Sequence, residues 1–170
     1  MTDQMLQASI DAAVAPDTIL TAFQTIERWS SWYPGVVAAA WVAGAPWQTD
    51  AVMAVQVRNS LGMLVKSTAV VLPATDHHTP QAARSGSPDP GRDLAIPTER
   101  LCCWENRAPG LVTVCYAWAE ETAGGSRFTL QKFYRGPAAP LLRLMKGRQE
   151  QMLQQALRNL RAQIAMDYYG

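Results

Sequence analysis

Lysine is scarce in this chain, three residues against twelve arginines, and the arginines are spread along its length. With a formal net charge of +1 there is no electrostatic footprint for general nucleic-acid binding, so no nucleic-acid partner is expected. Cysteine is also scarce: Cys102, Cys103 and Cys115 are the three. Adjacent residues on a strand point to opposite faces, so Cys102 and Cys103 make a poor pair of metal ligands. Neither a CxxC nor a Cys/His spacing typical of zinc occurs. These read as reduced structural thiols of a cytoplasmic protein. No apolar run approaches the length of a membrane span. The N-terminus MTDQMLQASIDAAV carries an acid at position 3 and no basic region, so no signal peptide is expected. A P-loop, GxSxG and HExxH are all missing, and with them the usual signatures of nucleotide, nucleophile-elbow and zinc chemistry. No metal or nucleotide cofactor is expected.

What is present is a globular composition, 48% hydrophobic and 17% charged, enough for one domain over 1–170 with a real core. The organising stretch is Pro140 to Met166, which reads as one long helix. Pro140 suits a first helical position. Leu141, Met145, Met152, Ala156, Leu160 and Ile164 fall on one stripe, widened by Leu142, Leu153 and Leu157. Arg143, Lys146, Glu150, Gln154, Arg158 and Arg161 take the other face. At 1.5 Å per residue the helix would be roughly 40 Å long, so it needs a broad partner.

That partner is a series of short alternating segments. Met5 to Val14 alternates apolar and polar residues and reads as a strand. Pro16 and Asp17 open a short helix with Ile19, Leu20, Phe23 and Ile26 on its apolar face, ending near Arg28. Trp29 to Tyr33 forms a second helical turn, stopped by Pro34-Gly35. Strands follow at Val36 to Ala43, Ala51 to Asn59, Met63 to Leu72, Thr98 to Glu105, Leu111 to Glu120 and Arg127 to Arg135. Six consecutive strands with short turns predict an antiparallel meander. The exception is Pro73 to Pro97, which holds five of the eleven prolines and has no strand or helix period. It reads as an insertion, either a functional loop or a disordered one.

This order, with particular residues, resembles the START-like (SRPBCC) superfamily, and within it the polyketide cyclase/dehydrase and lipid-transport family. The matching pieces are Ile10 to Ile19 at the strand-to-helix junction, Trp29 to Val36 after the first helix, Gly44-Ala45-Pro46-Trp47 in the first hairpin and Gly124 to Thr129 in the last. The resemblance implies an α+β helix-grip fold: a curved antiparallel sheet of about seven strands around a long C-terminal helix, with two short helices after the first strand. It also implies an internal cavity for a lipid, polyketide, quinone or other apolar ligand. The same fold carries binders, transporters and cyclases, so the chemistry stays open.

On this reading the cavity is lined by Leu6, Ala8, Ile10, Met53, Val55, Trp104, Tyr116, Trp118, Phe128, Leu141, Met145 and Met152. For Tyr116 and Trp118 the turn length decides. A five-residue turn before Phe128 points them inward, and a four-residue turn points them out. A cyclase would polarise carbonyls with a few polar groups, for which Arg58, Glu105, Tyr116 and Tyr134 are the candidates. Arg58 also fits a solvated outer face, because it alternates with Met53, Val55 and Val57. Asp76-His77-His78 lacks two further well-spaced ligands and reads as an exposed loop rather than a metal site. The basic residues of the last helix read as a solvated face, with anionic membrane or RNA contact the rival. Successive turns of a meander alternate between its ends. The resemblance places the cavity mouth at the end where the long helix begins, framed by Leu61, Pro109, Leu111 and Pro137. An apolar-ligand binder is the expected function; a cyclase-like enzyme and an interaction module with a filled core are the alternatives. The oligomeric state is left open.

Overall fold

The computed structural model describes residues 4–58, 62–73 and 100–169. Strand β1 (Gln4–Ala12) leads into helix α1 (Pro16–Gln24), a 3-10 turn (Ile26–Arg28) and the short helix α2 (Trp29–Trp32). Strands β2 (Val36–Ala43), β3 (Val52–Arg58), β4 (Leu64–Val71), β5 (Leu101–Ala108), β6 (Leu111–Thr122) and β7 (Gly125–Arg135) come next. Helices α3 (Ala139–Arg143) and α4 (Lys146–Tyr169) close the chain. Every strand pairing is antiparallel, in the order β1-β7-β6-β5-β4-β3-β2. This is the helix-grip α+β architecture. The interior of the Pro73 to Pro97 insertion, with Asp76-His77-His78 and also Leu61, lies outside the described residues.

The alternation of β1 sets which side is buried. Leu6, Ala8 and Ala12 are buried, while Met5, Gln7 and Asp11 are exposed. The buried side meets α4 through Leu153, Ala156, Leu157, Leu160 and Ile164, each at most 3% exposed. Burying a leucine or isoleucine to that degree is worth about 1.5–3 kcal/mol, so this stripe holds the helix on the sheet.

The helix expected as one piece from Pro140 is two. Leu144 and Met145 interrupt it, and the Met145 amide bonds back three residues to Leu142 at 3.0 Å. The first half of the expected stripe is not packed on the sheet: Leu141, Met145 and Met152 are exposed, as is Leu144 in the break. The first short helix is also divided. The Thr25 hydroxyl donates to the Thr21 carbonyl at 2.9 Å, and such local bonding competes with helix continuation.

The β6–β7 turn settles the facing of the aromatic strand. Thr122 pairs with Gly125, which places Ala119 opposite Phe128 and Trp118 opposite Thr129. Cys115, Ala117 and Ala119 therefore face the helix side of the sheet with Phe128 and Leu130. Tyr116 and Trp118 turn to the other face, in a second cluster with Cys103 and Val114. This is the register of the four-residue turn.

One half of the interior is filled by rings. Phe23 lies 5.1–6.1 Å, centroid to centroid, from Trp29, Trp32, Trp47, Trp104 and Phe128. Trp47 donates its Nε1–H to the Gln24 carbonyl at 2.8 Å, which holds the bulky residue in a left-handed conformation, φ 60°. The space beneath α1 and α2 is therefore filled; a groove of about 410 Å³ runs outside it between α1 and the end of α4, lined by Thr18, Ala22, Ile164 and Tyr168, and a second hollow lies at the opposite end.

Candidate functional site

A pocket of about 430 Å³ lies at that opposite end, between the sheet and the start of α4. Its apolar wall is Leu6 from β1, Val57 from β3, Val65 from β4, and Met145, Met152 and Leu153 from the helical segment. Tyr33 and Pro34, which follow α2, close one side. Arg58, Lys132, Tyr134, Arg148 and Gln149 supply the polar groups. Arg58, Val65, Met145, Arg148 and Met152 are exposed, so they mark where the pocket opens.

Lys132 lies in an apolar row. On β7 the side chains on the helix side of the sheet are Phe128, Leu130, Lys132 and Tyr134, with Lys132 paired to Leu6 on one side and Cys115 on the other. Its Nζ donates to the Tyr33 hydroxyl at 2.6 Å and sits 5.2 Å from the Tyr33 ring centroid. Among the described residues it has no carboxylate partner. Burial works against the ammonium, but the oxygens of Tyr33 and Tyr134 and the Cys115 sulfur favour it. The balance holds its pKa above the ordinary lysine value, so the amine is charged. Burial raises the pKa of the Tyr134 phenol, against the pull of the Lys132 charge. Gln149 Oε1 is buried without a hydrogen-bond partner among the described residues. Among the described residues the lining holds three cations, Arg58, Lys132 and Arg148, and no acid. The Arg58 guanidinium also donates to the Gly62 carbonyl at 2.8 Å.

Of the residues expected to line a cavity, Leu6, Met145 and Met152 do line this pocket, and so do two of the polar candidates, Arg58 and Tyr134. Ala8, Met53, Val55, Trp104 and Phe128 are instead packed core, with Ile10 half-buried against them. Leu141 is 66% exposed and points away. Tyr116 and Trp118 are on the far face for the register reason given above. Burial there pushes the Tyr116 phenol up to about 12. Glu105 is outside the pocket and pairs with Arg107. Of the four residues expected at the mouth, Pro109, Leu111 and Pro137 stand beside the strand turns at this end but do not line the pocket. The opening lies instead between the start of β4 and the start of α4. Lys132, Tyr33, Arg148 and Gln149 were not expected. The available signal was the lysine in step with Phe128, Leu130 and Tyr134.

Among the described residues no helix is long and apolar enough to cross a membrane. No protein-family model matches the chain, and no curated protein does. Solved structures do match. The Zhui aromatase/cyclase from Streptomyces sp. R1128 aligns over 96% of this chain and 94% of its own, with a TM-score of 0.66 at 9% identity. A START superfamily protein from Mycobacterium smegmatis aligns over 97% and 99%, with a TM-score of 0.65 at 10% identity. Ara h 8.0201 aligns over 97% and 99%, with a TM-score of 0.67 at 13% identity. The chain therefore has the START-like fold. At these identities the likeness concerns the fold alone.

Proposed function

We propose that this chain binds an apolar small molecule of the lipid, polyketide or quinone class in the pocket beside α4. The observation that carries this is the pocket itself: a few hundred Å³, walled by aliphatic and methionine side chains, with a few polar groups among them. That is the usual character of a small-molecule site. The placement at the helix-start end agrees with what the resemblance implies for a cavity mouth. Ring packing under α1 and α2 restricts the ligand to this half of the interior.

Titration with the neutral fluorescent probe N-phenylnaphthylamine tests the reading. Saturable binding is expected, and Met152→Trp or Val65→Trp should abolish it while the thermal midpoint stays within a few degrees. Binding that is undiminished in both variants places the probe elsewhere and refutes the site. No binding at all would favour an interaction module.

A cyclase-like enzyme is the second reading, favoured by one observation. Lys132, Tyr33, Arg58 and Tyr134 converge on the same apolar space, and cations there would stabilise an enolate oxygen. Turnover of a poly-β-ketone thioester mimic, lost in Lys132→Met, would establish it. Binding without turnover leaves the chain a binder.

A further inference from the structure

We infer that the ligand of this pocket carries one acidic oxygen group, a carboxylate or an ionisable hydroxyl, and that Lys132 and Tyr33 hold it. The inference rests on the pocket being a ligand site and specifies the chemistry of the occupant.

Three observations carry it. The first is the placement of Lys132. Its ammonium stands in an otherwise apolar row beside Leu6 and Leu130, and no carboxylate neutralises it among the described residues. Its one close partner is the Tyr33 oxygen at 2.6 Å. The second is the sign of the lining, three cations and no acid among the described residues, in a chain whose net charge is only +1. Low-dielectric walls of one sign concentrate the field and favour an anion. The third is donor geometry. An ammonium has three donors, and one is spent on Tyr33. Because the Tyr33 oxygen accepts that bond, its own O–H remains free to donate. Two ammonium N–H groups and one phenol O–H on adjacent atoms suit a single oxyanion. The apolar body of the ligand would then lie against Leu6, Val57, Met152 and Leu153.

Isothermal titration with matched probes tests this. Decanoate against decanol examines the carboxylate form of the head. A naphthol against its methyl ether examines the ionisable hydroxyl. At least one acidic probe should bind the wild-type chain roughly ten- to hundred-fold more tightly than its neutral partner, the size of one or two charge-assisted hydrogen bonds. Lys132→Met should abolish that preference while still binding the neutral probe, which also shows that the variant is folded. Lys132→Arg should restore part of the preference, and Tyr33→Phe should weaken it. Equal binding of acid and neutral partner in both pairs overturns this inference but leaves the apolar binding site standing. A preference that survives Lys132→Met also overturns it. Failure of every probe overturns the binding reading as well.

Discussion

The indole Nε1–H of Trp29 donates to the backbone carbonyl of Phe23 at 2.7 Å. Phe23 lies in the last turn of α1, where carbonyls lose their helical partners, and Trp29 begins α2. One side chain thus satisfies a buried acceptor and sets the angle between the two short helices. It also keeps the Phe23 ring at the centre of the aromatic block that fills half of the interior. Phe23→Ala should cost about 3–5 kcal/mol of folding stability. Trp29→Phe should cost about 1–3 kcal/mol by leaving the carbonyl unpaired. Urea denaturation of both variants measures the two losses.

Gly125 brings the β6–β7 hairpin against the end of β1. A Cβ there would stand 2.2 Å from the Ala12 carbonyl oxygen, and its φ of 137° disfavours other residues. The close approach lets the β6–β7 hairpin lie against the end of β1. Gly125→Ala should therefore lower the melting temperature by several degrees or more. Gly124→Ala, with nothing within 4 Å of the added atom, should change it little.

The three thiols give a pH dependence of definite sign. Burial raises Cys102 to about 11, Cys103 to about 12 and Cys115 to about 11, from an ordinary value of 9.0. Above pH 9 the unfolded chain loses these protons first, so the native state binds more protons than the unfolded one. Stability is fully present below pH 9 and is lost as pH rises through the folded values. The expected slope is about 1.4 kcal/mol per pH unit for each thiol. Urea midpoints between pH 7 and pH 11 measure it. At pH 8 the folded protein should react with thiol reagents only through unfolding.

Lys132 should support the fold through Tyr33. Its side chain is half-buried, donates to the Tyr33 hydroxyl at 2.6 Å and has a pKa above the ordinary lysine value, so the native state favours the ammonium. Lys132→Met should lose about 1–3 kcal/mol in denaturant, the size of one hydrogen bond to a charged group. Unchanged or increased stability would show that desolvation of the ammonium outweighs that bond.

Much of the architecture was legible because it rests on period. The alternation of β1, the run of six strands and the apolar side of α4 each follow from residue spacing, and the structure has them. The split near Leu144 was not legible, since the apolar residues continue through it. The break appears only in the backbone, where the Met145 amide bonds to Leu142, three residues back. Tyr116 and Trp118 could not be assigned a face from composition, because a one-residue change of register reverses both. The site was read less well for a related reason. Large inward residues such as Met53, Trp104 and Phe128 mark the inside of the fold, but sequence does not say which part of that inside is full. The Phe23 cluster fills one half by contacts between residues far apart in the chain. The pocket remains where those rings end, around a lysine that looked like an ordinary strand residue.

The central claim is that the pocket beside α4 holds an apolar small molecule. Native mass spectrometry of the chain purified from its own host tests this most directly. A bound species of small-molecule mass should accompany the wild-type protein, extract into organic solvent and be missing from Met152→Trp. If the wild-type chain flies at its bare mass, and pocket-filling variants are indistinguishable from it in every binding assay, the claim is wrong.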